Sequence, residues 1–134
     1  MSSRLGRIIE SMYEAALPPD WPEEVGPPGA PGWERSAVAW LYDLCPSEYR
    51  RYPLLSRHPL LLARLACQEA ESSLHAARRG WSTARADLQG QVEPQVIDAL
   101  FGMYAQEGPR LAALTRSVRL VSEALAGVRR RPRL

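Results

Sequence analysis

LARLACQEAESSLHAARRGWSTARADL, residues 62–88, has the clearest periodic pattern in the sequence, because alanine returns in it at every seventh residue. The wider pattern is a row of apolar or small residues at alternating steps of three and four: Leu60, Ala63, Cys67, Ala70, Leu74, Ala77, Trp81, Ala84 and Leu88. An unbroken row of this kind is typical of a long helix that packs along a second helix. Since proline suits the first position of a helix, the pattern predicts a helix over residues 59–88.

A second row with the same spacing follows a polar turn, QGQVEPQ, at residues 89–95. Its members are Ile97, Leu100, Tyr104, Glu107, Leu111, Leu114, Val118, Val121, Leu125 and Val128. The row passes through Gly108 and Pro109 without losing its spacing, so we expect one kinked helix over about residues 93–128 and not two helices. Gly90 is expected to stop the first helix, and Gly127 with Pro132 to end the second.

Two long helices joined by a short turn predict an antiparallel helical hairpin. Small side chains on one helix allow close approach, and bulky ones on the other fill the space between them. The predicted contact positions are Ala63, Ala70, Ala77, Ala84, Leu111, Leu114, Val118, Val121 and Leu125. The alternative is that these alanines only reflect the high helix propensity of alanine and its frequent use in GC-rich genomes.

The composition of the chain predicts four regions. Residues 1–17 form an N-terminal helix, and residues 18–32, with six prolines and three glycines, form an extended arm that rests on the body. A further helix spans residues 33–45, within a bundle domain at 33–128, and residues 129–134 form an arginine-rich tail. The predicted fold class is therefore all-α and bundle-like. Because a hairpin cannot bury both of its sides, we expect dimerisation to complete it.

Charge is distributed unevenly along the chain, although its net value is only +2. Residues 1–32 carry two arginines and five acids, whereas residues 109–134 carry seven arginines and one acid. A basic C-terminus is a candidate for contact with phosphate or nucleic acid. The alternative is that the arginines only stabilise the C-terminal end of a helix, where positive charge interacts favourably with the helix dipole. The candidate anion or nucleic-acid contacts are Arg116, Arg119, Arg129, Arg130, Arg131 and Arg133.

Glu107 is the one charged residue in the second row. Mirror pairing about the turn places it opposite Leu74, with His75 and Arg78 on neighbouring turns. Because a buried carboxylate needs a partner, we expect a buried polar pair between Glu107 and Arg78, with His75 close by. The alternative is a catalytic acid, but no second acid shares this side of the helix.

The remaining chemistry of the sequence is sparse. The two cysteines and two histidines have no metal-ligand spacing, and patterns for phosphate loops or activated nucleophiles are absent. We therefore expect no catalytic residue, no metal and no cofactor, and a protein that is not an enzyme. No segment is long and apolar enough for export or for a membrane span, which favours a cytoplasmic protein. A small-ligand pocket walled by Trp40, Tyr42, Trp81 and Tyr104 remains a further possibility.

Two segments, YRRYPLLSRHPLLLARLA and QVIDALFGMYAQEGPRLAALTRSVRLVSEALAG, and their order resemble small uncharacterised helical proteins of high-GC actinobacteria. The resemblance covers about residues 49–127. It implies an actinobacterial origin and a helical fold that stands alone, and it carries no activity or catalytic residue.

The function expected from these features is a non-enzymatic, homodimeric protein–protein interaction module. The alternative is a nucleic-acid-associated or regulatory protein that binds the phosphate backbone through its arginine-rich C-terminus.

Overall fold

A computed structural model describes residues 4–8 and 17–130, with side chains up to residue 127. Four helices follow the arm: α1 (Trp33–Asp43), α2 (Pro53–Arg57), α3 (Pro59–Leu88) and α4 (Pro94–Arg130). A short 3₁₀ helix, Ser47–Arg51, lies between α1 and α2. The described residues contain no strand, and one isolated bridge joins the two sides of the turn between α3 and α4. The predicted all-α fold is confirmed.

The long helices α3 and α4 pack against each other as the predicted antiparallel hairpin. The backbone of His58 is non-helical and Pro59 opens α3, because the residue before a proline avoids the helical region. At the other end, Gly90 adopts a φ of 81°, a left-handed conformation that favours glycine and ends the helix. The backbone N–H of Gln91 then donates to the carbonyl of Leu88 at 2.9 Å.

Helix α4 runs without interruption through Pro109, as the spacing predicts, but it ends later than expected. The prediction that Gly127 stops the helix is wrong, because α4 continues to Arg130. A glycine ends a helix when it takes a left-handed conformation. The described glycines with a positive φ are Gly29, Gly32 and Gly90, so Gly127 keeps helical angles.

The small residues of α3 lie in the contact with α4, and the structure places Ala63, Ala70 and Ala84 in the interior. Ala77, the fourth of the series, is half-buried. The contact positions expected on α4 are covered in the same way. Leu111, Val118, Val121 and Leu125 are buried, and Leu114 is half-buried. Burial of alanine brings two helix backbones close together, so the predicted contact role of these residues agrees with their positions.

The main hydrophobic core lies at one end of the hairpin, which we call the base (residues 59–70 of α3 and 114–127 of α4). There α1 covers the hairpin with Ala37, Trp40 and Leu41. The opposite end, residues 71–88 and 94–113, forms a two-helix projection that we call the distal arm. Its buried residues are Ala84, Ile97 and Leu111. The distal arm is about 27 Å long, from 18 residues at 1.5 Å each.

The proline-rich arm packs on the base, as expected. Val25 and Trp33 are buried, and the ring of Trp21 lies 6.3 Å from that of Trp33. The hydroxyl of Ser36 accepts a hydrogen bond from the backbone N–H of Gly26 at 2.9 Å and donates to the carbonyl of Trp33. These bonds tie the arm to the first turn of α1.

Two predicted boundaries near the N-terminus need correction. The helix expected over residues 33–45 ends at Asp43, and a 3₁₀ helix and α2 lie between it and α3. Prolines at 46 and 53 each permit a new helical turn to begin, since proline fits the start of a helix. Of the helix expected over 1–17, residues 4–8 are helical, residue 17 is not, and the others lie outside the described residues.

Candidate functional site

Most of the features that could bind a partner or a ligand lie on the distal arm, which none of the other described helices covers. They lie on two sides of α4. Phe101 and Met103 are two residues apart, which places them about 200° apart around the helix. The two sides are described in turn.

One side is an apolar surface, the distal apolar face, formed by Val92, Val96 and Met103. These residues are exposed, with Val96 and Met103 each at 51%. Met103 lies 18 residues before Val121, or five full turns, and therefore on the same side of α4. Val121 is fully buried in the base. The side of α4 that is covered at the base thus continues along the distal arm, where none of the described elements covers it.

The other side holds an apolar depression of about 330 Å³, the aromatic notch, lined by Ala77, Arg78, Trp81, Tyr104 and Gly108. Trp81 is 48% exposed and is held from behind by Phe101, whose ring meets the indole edge-on at 5.0 Å. The guanidinium of Arg85 lies over the Phe101 ring at 5.1 Å. These contacts fix the indole in place, so one wall of the notch is formed in advance.

Gly80 shapes the Tyr104 wall of the notch. A Cβ atom at Gly80 would overlap the Tyr104 hydroxyl. A glycine in the middle of a helix lowers helix stability, and the sequence gives no reason for one here. The structure supplies the reason, since only glycine leaves room for the ring. Trp40 and Tyr42, the other two aromatic residues expected around a pocket, are buried in the base.

A polar depression of about 490 Å³, the arginine groove, adjoins the notch and shares Arg78 with it. Its other charged or titratable residues are Glu71, His75, Arg116 and Arg119. Three arginines and a histidine therefore face one carboxylate. Of the candidate anion contacts, Arg116 and Arg119 meet here, whereas the side chains of Arg129, Arg130, Arg131 and Arg133 lie outside the described residues.

Two of these arginines are oriented by carboxylates. Arg119 donates from Nη2 to Glu71 Oε1 at 2.8 Å, linking α4 to α3. Arg116 donates from Nε to Asp20 of the proline-rich arm at 3.2 Å, while the Ser117 hydroxyl donates to the Asp20 carbonyl at 2.7 Å. Arg78 has no ion pair among the described residues. Since a guanidinium has five N–H donors, each arginine keeps donors for a further anion.

Cys67 extends the Glu71 pair on the base side of the groove. Its thiol donates to Glu71 Oε1 at 3.4 Å. The hydrogen bond from Arg119 and the one from Cys67 both lower the pKa of Glu71, because they stabilise the carboxylate. Burial, followed by the hydrogen bond to Glu71, raises the pKa of the Cys67 thiol. Glu71 is therefore a stable anion that neutralises one charge of the groove.

The buried pair predicted between Glu107 and Arg78 is wrong. Glu107 is only half-buried and pairs with Arg110 on its own helix, at 2.5 Å from Arg110 Nε. This hydrogen bond lowers the pKa of Glu107. His75 also has a local partner, with its Nε2 at 3.2 Å from Arg79 Nη2. Residues three or four positions apart on a helix are already neighbours, so both polar groups find partners without crossing the hairpin.

Other kinds of site are not apparent in the part of the chain that the structure describes. No group of three or more histidine, cysteine or acidic residues is placed to hold a metal ion there. None of the described helices has the length and apolar character needed to cross a membrane.

Comparisons with protein-family models, with curated proteins and with solved structures gave no match for this chain.

Proposed function

We propose that this protein is a non-enzymatic interaction module that forms a homodimer through the distal apolar face. The observation that carries the proposal is the continuity between Val121, fully buried under the base, and Met103, half exposed on the same side of α4. Exposed apolar residues in a row, beside polar ones, are typical of a contact surface. Val96 and Val92 extend the row toward the tip of the hairpin.

The kind of partner that fits the distal apolar face can be inferred from the element that covers the hairpin at the base. At the base, α1 packs its apolar side on the hairpin and buries it. The complement of the distal apolar face is accordingly another helix with an apolar row. A second distal arm presents such a row, and two antiparallel arms would form a four-helix bundle around a two-fold axis.

A mass measurement tests the proposal. We expect sedimentation velocity or light scattering at micromolar concentration to give twice the mass of one 15.0 kDa chain. Met103→Glu should shift the protein to the monomer, because it would place a charge in an apolar interface. Ala105→Glu is the matched control, since it adds the same charge to an exposed position two residues along α4, on the other side.

Two results would overturn the proposal: a monomer at every concentration tested, or equal dimerisation of the Met103→Glu and Ala105→Glu variants. The alternative of nucleic-acid binding stays a prediction that depends on the tail. The side chains of the tail arginines lie outside the described residues, so the structure gives this alternative no added support.

A further inference from the structure

We propose that the aromatic notch and the arginine groove together form one binding site for a small aromatic phosphate, of the chemical class of a nucleoside monophosphate. The site is separate from the distal apolar face, so the inference does not depend on dimerisation. It rests on three features of the hairpin: adjacency of the two depressions, an aromatic wall held in place, and unbalanced positive charge.

Adjacency sets the size of the ligand. Arg78 lines both depressions. On α4, Gly108 lines the notch and Ala112 lines the groove, four residues or about 6 Å further along the helix. Arg116 and Arg119 lie two to three turns beyond Gly108, whereas Arg78 lies less than one turn from Trp81 on α3 and brings the cationic part of the site next to the apolar part. A ring and a phosphate joined by one sugar-sized spacer match the separation of Trp81 and Arg78.

The notch favours a flat ring. Of its aromatic walls, Trp81 is held by Phe101, and Tyr104 occupies the space that the missing side chain of Gly80 leaves open. Ala77 and Gly108 add no bulk between them. Aromatic side chains bind bases by stacking, since every base has a π-face, and walls fixed before binding lose little conformational entropy.

The groove favours a phosphate over a single carboxylate. Asp20 and Glu71 each satisfy one arginine with one carboxylate, and the positive charge of Arg78 is left over. Arg116 and Arg119 line the same groove, and each keeps N–H donors beyond its one hydrogen bond to a carboxylate. A phosphate monoester offers up to two negative charges and three acceptor oxygens, and arginine binds such a group with two parallel hydrogen bonds.

Isothermal titration calorimetry on the full chain tests the inference, with adenosine monophosphate, adenosine and inorganic phosphate as separate probes at constant ionic strength. We expect the monophosphate to bind at least tenfold more tightly than either fragment, because it alone occupies both depressions. Trp81→Ala and Arg78→Ala should each weaken its binding at least tenfold. Arg35→Ala, an exposed arginine of α1 outside both depressions, is the charge-matched control and should change nothing.

Milder variants separate a lost contact from a lost fold. Trp81→Phe keeps a ring and Arg78→Lys keeps a charge, and both residues are exposed, so we expect folded proteins with intermediate affinity. Met103→Glu should bind the monophosphate like the natural chain, which separates this site from the dimer interface. The inference fails if the monophosphate releases no heat at millimolar concentration, if it binds no better than adenosine or phosphate, or if Arg78→Ala matches Arg35→Ala.

Discussion

Alanine and glycine, the two smallest residues, set how closely the two long helices of this protein approach at individual positions. Ala63, Ala70 and Ala84 are buried between the helices. Gly80 goes one step further, since even a methyl group there would overlap the Tyr104 ring. Gly102 of α4 does not mark such a close approach, because its Cβ position faces open space.

This contrast predicts opposite effects for two identical substitutions. Gly102→Ala should raise the free energy of unfolding by about 0.5–1 kcal/mol, since alanine has the higher helix propensity and meets nothing. Gly80→Ala should leave the protein less stable than Gly102→Ala by about 1–3 kcal/mol, because Tyr104 must move out of its place. Urea denaturation followed by circular dichroism measures both values.

A double substitution identifies the cause. In a Tyr104→Ala background the clash is removed, so Gly80→Ala should then stabilise the helix about as much as Gly102→Ala does. If Gly80→Ala is equally unfavourable with and without the Tyr104 ring, close approach of Tyr104 is not the reason for glycine at this position.

The surroundings of Cys45 predict that its thiol is alkylated more slowly in the folded protein than in the unfolded chain. Burial, with the nearby charge of Glu69, raises the pKa of Cys45 from its ordinary value of 9.0 to about 11. Since the thiolate is the nucleophile, alkylation by iodoacetamide should be slow in the folded protein at pH 8 and should accelerate toward pH 11. Mass spectrometry of the labelled peptides gives the rates, and the protein unfolded in urea gives the reference. Equal rates in the folded and unfolded chains at pH 8 would contradict the prediction.

The same shift has a consequence for stability, with a defined sign. The folded protein holds the Cys45 proton more tightly than the unfolded chain does. The contribution of this thiol to stability is therefore complete below pH 9 and falls as the pH rises from about 9 to about 11. Cys45→Ala should remove this part of the alkaline loss of stability.

At the scale of helices, the sequence predicted the elements well and the pairs across them poorly. The spacing of apolar residues locates α3 and its partner helix because that spacing is a local property of a helix. Pairs between helices depend on the direction of side chains, which in an α-helix tilt toward its N-terminus. In an antiparallel hairpin the two tilts are opposed, so mirror pairing places Arg119 opposite Leu62, whereas its side chain reaches Glu71.

The contacts of the candidate site were also difficult to predict, because they join residues of different helices. Trp81 and Tyr104 could be proposed together from their aromatic character. Gly80 stood out only as an unfavourable residue in the middle of a helix, and nothing in the sequence linked it or Phe101 to the aromatic pair. Their roles depend on neighbours in the facing helix, and no spacing within one helix contains that information. The link from Asp20 to Arg116 spans 96 positions of the chain, and only the opposite charges of the two ends hinted at it.

Pro109 provides a prediction about α4 as an element. The helix continues through this proline, which has no N–H to donate to the carbonyl four residues earlier. Pro109 is exposed, so its replacement leaves no cavity. Pro109→Ala should raise the free energy of unfolding by about 1–3 kcal/mol and leave the helix content unchanged or slightly higher. Urea denaturation and far-ultraviolet circular dichroism measure the two quantities, and a loss of stability would show that Pro109 has a packing role.

At the scale of the whole molecule, the interior is unevenly distributed along the hairpin. The base buries large side chains such as Leu41, Leu62 and Trp33 between three helices and the arm. Within the described ranges, the distal arm buries Ala84, Ile97 and Leu111 between two helices. Because apolar burial is the main source of folding free energy, the two ends of the same helices differ in local stability.

The difference in local stability allows hydrogen exchange, measured at two protein concentrations, to test whether the distal arms of two chains cover each other. In the monomer, backbone amides of residues 71–88 and 94–111 should exchange faster than those of 59–70 and 114–125, because local opening of the distal arm exposes less apolar surface. If two arms cover each other, a higher concentration should slow exchange in the distal arm and leave the base almost unchanged, since binding stabilises the region that it orders. Met103→Glu should abolish the concentration dependence, and Ala105→Glu should preserve it. Uniform protection along both helices at low concentration would mean that the distal arm is stable alone, and the need for a partner would lose its physical basis.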